Sequence, residues 1–119
     1  MLTPIAAATA YRHRIALAVA EGGAIPKAAY LAVGSGDRPY SPDTDTALQA
    51  EFLRVACTTS VDGVRLTVTG VLKGSATGLN VTREVAVFAA DGTLMGRRVV
   101  AAKELEPETE ITFELVFEY

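Results

Sequence analysis

Apolar and polar positions alternate along most of this chain, the signature of strands with one face buried. The run Val64 to Lys73 is among the clearest cases. Val64, Leu66, Val68, Gly70 and Leu72 take one face, and Arg65, Thr67, Thr69 and Lys73 take most of the other. The last segment, Glu110 to Tyr119, points Ile111, Phe113, Leu115, Phe117 and Tyr119 inward and Thr112, Glu114 and Glu118 outward. Outward glutamates suit an edge strand, because charge there resists stray pairing. Between these two runs lies a hairpin over Thr82 to Met95. Val85 and Val87 alternate with Glu84 and Ala86, Asp91-Gly92 fits a two-residue type I′ turn, and the return strand runs to about Ala102. With a long segment on either side, this hairpin is expected inside the sheet.

The spacing changes near the N-terminus. Thr3-Pro4 is a good helix start, and Ile5 to Ala20 is rich in alanine, with Ala8, Tyr11, Ile15 and Ala18 or Val19 on one stripe. Arg12 and His13 face solvent in that arrangement, and Gly22-Gly23 supplies the stop. The small side chains let such a helix lie close against a sheet. Lys27 to Val33 then reads as a strand between Pro26 and Gly34. Gly34 to Asp45 is turn chemistry throughout, longer than a mere connector usually is. Ala47 to Leu53 fits either a helical turn or the start of a strand. Leu53, Val55, Cys57 and Thr59 continue as one strand, and Asp62-Gly63 is a second hairpin signal. Gly74 to Gly78 reads as a flexible loop, and Lys103 to Thr109 as an acidic turn around Pro107. Residues 1–119 thus form a single α+β domain, one N-terminal helix packed on a mostly antiparallel sheet or sandwich of about six strands.

Composition narrows the function classes. The net charge of −3 argues against broad nucleic-acid binding, which needs a surplus of Lys and Arg on one face. The chain has no Trp and 7% aromatic residues, too few for a base-stacking or sugar-stacking platform. One cysteine permits no internal disulfide. No apolar run reaches the roughly 18 residues of a membrane span. Ile15 to Ala20, preceded by Arg12-His13-Arg14, resembles a signal peptide in its Ala-Val-Ala ending. It falls short of the roughly 7–15 residues such a core needs, so a helix is expected.

Candidate chemistry is sparse. Cys57 as a nucleophile needs a base, and the only histidine, His13, sits between two arginines on the helix; Cys57 reads as a small core residue. One His and one Cys cannot hold zinc. Gly34-Ser35-Gly36 follows a strand, as a phosphate loop does, but lacks the third glycine, the following helix and the Lys-Ser or Lys-Thr pair. Asp37, Asp43 and Asp45 do not follow the spacing of a calcium loop. Asn80-Val81-Thr82 fits a glycosylation sequon. No catalytic, cofactor-binding or metal-binding residue is assigned, and no cofactor is expected. One asymmetry stands out. Glu104, Glu106, Glu108, Glu110, Glu114 and Glu118 crowd the C-terminus, while Arg12, Arg14, Arg97 and Arg98 lie elsewhere. These are either two solvated surfaces or complementary patches that set the register of a homo-oligomer.

Two stretches resemble the N-terminal, virion-proximal domain of phage tail-fibre and prophage tail or baseplate proteins. The first runs from Leu31-Ala32-Val33-Gly34-Ser35-Gly36 through Pro39, Pro42 and Asp43 to Thr46-Ala47-Leu48 and Glu51-Phe52-Leu53-Arg54. The second is Arg83-Glu84-Val85-Ala86-Val87-Phe88 with Asp91-Gly92-Thr93-Leu94. The opening helix and the closing alternation are similar too. Two departures are clear: the Trp that often precedes the Arg-Glu-Val motif is absent, and no repetitive shaft follows in this sequence. The resemblance implies a non-enzymatic virion structural protein, a free-standing subunit or adaptor. Its partners would be other tail or baseplate proteins and further copies of itself, as a trimer or hexamer. It would reside in the virion tail, and in the bacterial host cytoplasm during assembly. The alternative is a small monomeric module binding carbohydrate or peptide, which calls for a concave pocket lined by Tyr30, Tyr40 or Phe88. A hydrolase would need two carboxylates paired in a cleft.

Overall fold

A computed structural model describes residues 3–119. It is an α+β sandwich of two antiparallel sheets preceded by one long helix. The elements are α1 (Thr9–Glu21), β1 (Ala28–Gly34), β2 (Glu51–Ala56), β3 (Thr58–Asp62), β4 (Arg65–Lys73), α2 (Gly74–Thr77), β5 (Thr82–Ala89), β6 (Leu94–Lys103) and β7 (Glu110–Glu118). One sheet has the order β2-β1-β5-β6 and the other β3-β4-β7. The hairpin from Thr82 therefore contributes one interior strand, β5, and one edge strand, β6. The closing strand β7 is an edge, as its glutamates suggested.

The main core lies between the sheets, where Leu31, Val33, Val85 and Val87 face Val68, Leu72, Phe113, Leu115 and Phe117. Val68, Leu72, Phe113, Leu115 and Phe117 among them are inward positions that alternation picks out. A second cluster, Ala8, Ala32, Leu48, Ala86, Phe88 and Leu94, lies apart from it. The strand period places Ala32 and Ala86 on the opposite face of the first sheet, and residues 35–50 cross that face. The first sheet is thus buried on both sides, which is why β5 is buried at nearly every position from Thr82 to Ala89.

Several local expectations are corrected. Helix α1 begins at Thr9, not at Ile5. Ile5 N–H donates to the Val116 carbonyl at 2.7 Å and Ala8 N–H to the Met95 carbonyl at 2.8 Å, so residues 5–8 bridge the two edge strands instead. Those tertiary bonds override a modest helical preference. Within α1 only Tyr11 is fully buried; half-buried Ile15 also packs against the core, and Arg14 pairs with Asp91 of the β5–β6 turn. The single strand expected through Leu53 and Thr59 is two. The chain leaves the first sheet at Ala56, passes Cys57, whose N–H donates to the Ala29 carbonyl, and enters the second sheet at Thr58. The strand count is accordingly seven among the described residues. The stretch from Ala47 forms neither helical turn nor strand until Glu51. Residues 74–77 form a helical turn rather than a flexible loop.

The turn chemistry also shifts. Asp62 pairs with Arg65, so the two turn residues are Gly63 and Val64. Gly63 at the first position has φ +61°, the type II′ arrangement, and Val64 is exposed at the tip instead of facing inward. In the β5–β6 hairpin only Gly92 has positive φ, and its N–H donates to the Ala89 carbonyl. This is a type I turn closed by a left-handed glycine, not the I′ turn, and Asp91 stabilises it by accepting the Thr93 N–H at 3.0 Å. Tyr119 ends half-exposed over Phe117 and Tyr11 rather than inside.

Candidate functional site

The most organised polar site is a buried cluster on the outer face of the first sheet. Its centre is Glu84 of β5, a carboxylate with no exposed surface that precedes the apolar run Val85 to Ala89. Each oxygen accepts two bonds. Oε1 takes the Gln49 N–H and Arg97 Nε, both at 2.8 Å. Oε2 takes the Gly36 N–H at 2.9 Å and the Ala50 N–H at 2.8 Å. Arg97 of β6 is also fully buried, and its Nη1 lies 3.6 Å from Asp45 Oδ2. Asp45 in turn accepts Arg38 Nη2 at 3.0 Å and the Ser41 N–H at 3.1 Å.

Residues 35–50 therefore form a strap over the sheet, tied at both ends to one carboxylate. Glycine makes this possible. A Cβ on Gly34 would come within 2.5 Å of both the Ala50 carbonyl oxygen and Glu84 Oε2. One on Gly36 would come within 2.4 Å of Gln49 Cβ and 2.6 Å of Glu84 Oε2. The Gly-Ser-Gly turn thus cradles a protein carboxylate, not a phosphate.

Electrostatics follow the geometry. Burial alone would raise the Glu84 carboxyl, but Arg97 and the backbone N–H groups of Gln49, Ala50 and Gly36 outweigh it and hold it below the ordinary range. Burial, then the charge of Asp45, pushes the Tyr40 phenol up to about 12. Arg97 Nη1 and Nη2 make no hydrogen bond among the described residues. The guanidinium balances charge here without using its full donor set. Sealed from solvent, the Glu84–Arg97 pair offers a substrate no approach; what it does is fix the strap.

The other singled-out residues do not converge. Burial raises the half-buried Cys57 thiol, and the residue packs against the core, in keeping with the core reading. His13 is exposed on α1. Asp37 is exposed, Asp43 accepts the Thr9 hydroxyl and Asp45 is buried; among the described residues no acidic, His or Cys group gathers for a metal. Asn80 Nδ2 donates to the Thr77 carbonyl. Tyr30, exposed, and Phe88, buried, pair across β1 and β5 with the Arg54 guanidinium over both rings, while the Tyr40 hydroxyl donates to the Ala6 carbonyl. Glu104 to Glu114 of the acidic set are exposed, while Glu118 pairs with Arg65. The arginines do not form one basic patch, because Arg97 is buried and Arg14 pairs with Asp91 at 3.0 Å.

Sequence reasoning missed the Glu84–Arg97–Asp45 cluster. Glu84 stands at the head of the apolar run Val85 to Ala89, after Thr82 and Arg83, and alternation assigns such a charge to solvent. A groove of about 790 Å³ lies beside α1, lined mainly by Tyr11, Ile15, Ile25, Pro42 and Tyr119. No helix among the described residues is long and apolar enough to cross a membrane. The chain matches no known family model, no curated protein and no solved structure.

Proposed function

We propose that this chain is a phage or prophage virion structural protein, a tail-fibre-like or baseplate-associated assembly subunit that acts through protein–protein interfaces and not through catalysis. One observation carries the reading. The two stretches that resemble the tail-fibre domain, far apart in sequence, meet at Glu84. The Gly34–Gly36 turn and the segment leading into Glu51 both donate backbone N–H groups to the carboxylate of the Arg-Glu-Val stretch. In the closed state, motifs that interlock in this way present one fixed surface, which is what an assembly subunit needs.

Its surface supports the same reading. Val19, Val61, Val64, Val71 and Leu79 are exposed, a supply of apolar contact sites for neighbouring subunits. The proposed partners are other tail or baseplate proteins and further copies of the chain, in a trimer or hexamer, within the virion tail and in the host cytoplasm during assembly. Phe88 is buried beneath Arg54 and the Tyr40 hydroxyl is taken up by the Ala6 carbonyl, which weighs against a carbohydrate- or peptide-binding module built on these rings. Light scattering coupled to size exclusion tests the proposal, alone and with tail proteins added. A defined trimer or hexamer of the 12.5 kDa chain is expected. A strict monomer that recruits no tail protein would overturn it.

A further inference from the structure

We infer that the strap, residues 35–50, is a releasable unit locked by Glu84, and that it opens together with the start of α1 while the two sheets stay paired. The inference does not depend on the assembly reading.

The strap has little apolar anchoring of its own. Leu48 is its one fully inserted apolar side chain, with Tyr40 and Pro42 half-buried; Asp37, Arg38, Pro39, Asp43, Thr44, Thr46 and Ala47 are exposed. What holds it is polar and concentrated. Glu84 binds the N–H groups of Gly36 near one end and of Gln49 and Ala50 at the other. Asp45, in the second half of the strap, faces Arg97. The sheets, by contrast, share a continuous apolar core and long ladders, with β4 and β7 paired without a break from Arg65–Glu118 to Lys73–Glu110. Segments with few buried apolar contacts and many exposed groups open at lower free energy than such cores.

The strap is also wired to the helix. The Thr9 N–H donates to the Pro42 carbonyl, the Thr9 hydroxyl to Asp43 Oδ1, and the Tyr40 hydroxyl to the Ala6 carbonyl. The first turn of α1 therefore loses partners when the strap lifts. Opening uncovers the apolar face formed by Ala32, Ala86, Phe88 and Leu94.

Residue-resolved amide exchange on the full chain over a series of low urea concentrations tests this. In the wild-type protein the Gly36, Gln49, Ala50 and Thr9 amides are expected to exchange through an opening that depends weakly on urea. The Val68 and Leu115 amides, in the second sheet, should follow the steep dependence of global unfolding. Glu84→Gln should speed the four strap-linked amides by roughly a hundredfold over the wild type, and the second-sheet amides by a similar factor, because both openings break the same clamp. A shared steep urea dependence for all six amides in the wild type would overturn the releasable unit, whatever the variant does. A Thr9 amide that stays with the sheet while the strap opens would overturn the link to α1.

Discussion

At the scale of single residues, Glu84 is the position on which most depends. It is a buried charge satisfied by four donors, so removing the charge strands Arg97 in the interior. Glu84→Gln is expected to cost about 3 kcal/mol, the size seen when one partner of a buried ion pair is lost. Urea unfolding followed by far-UV circular dichroism reads this directly. The sign of the pH effect follows from the depressed carboxyl. Its folded-state pKa lies below the ordinary 4.5, so its stabilisation is complete above that value and is lost as pH falls through the lower folded value. The wild-type urea midpoint should therefore drop as pH falls below 4.5, and Glu84→Gln should flatten that part of the profile. Gly36→Ala tests the cradle without touching charge. Its methyl group meets Gln49 Cβ and Glu84 Oε2 well inside contact distance. A loss of about 1–3 kcal/mol is expected, as for overpacking elsewhere. No loss would mean that the strap readily shifts to make room.

At the scale of elements, the turns separate two kinds of glycine. Gly92 has φ +89° and open space where a Cβ would stand, so Gly92→Ala should cost only the backbone penalty, about 1 kcal/mol. Gly74 has no such strain, but a Cβ there would lie 1.8 Å from the Glu106 carbonyl oxygen, against a neighbouring stretch of backbone. Gly74→Ala should therefore be the worse substitution, and thermal melts of the two variants side by side check the order. The same contrast shows what was legible in the sequence. The strands β4 and β7 announce themselves, because a half-buried strand writes its burial as a two-residue period. Local patterns could not show that the chain changes sheets at Cys57, since Val55, Cys57 and Thr59 alternate smoothly through the corner. Nor could they show that Ile5 to Ala8 prefers two edge strands to a helical turn; those bonds go to Val116 and Met95, at the far end of the chain. The clamp was hidden for the same reason. Glu84 looks like a solvent-facing residue until the strap, itself read only as a loop, is laid over it.

At the scale of the whole molecule, the question is what the exposed apolar side chains are for. Tyr11 alone is buried within α1, and Val19 is 76% exposed; Ile25, just beyond the helix, is 48% exposed. Helices of this length are marginal in water without tertiary packing. The β3–β4 tip adds Val61 and Val64, 72% and 65% exposed. If these surfaces are covered by neighbours in an assembly, two charges introduced there should separate the copies while leaving the fold intact. Val19→Glu and Val61→Glu are suited to this, since neither side chain reaches the core. Each is expected to lower the mass seen by light scattering by at least one subunit, with an unchanged far-UV spectrum and a melting temperature lowered only by the lost association. Salt then distinguishes the forces involved. Contacts made through Glu104 to Glu114 and exposed cations such as Arg12 weaken as screening rises, whereas apolar contacts persist. An oligomer that survives high salt but not Val19→Glu or Val61→Glu would place the apolar surfaces, rather than the acidic turn, at the interface. Variants that match the wild type in mass at every salt concentration would remove both valines from it.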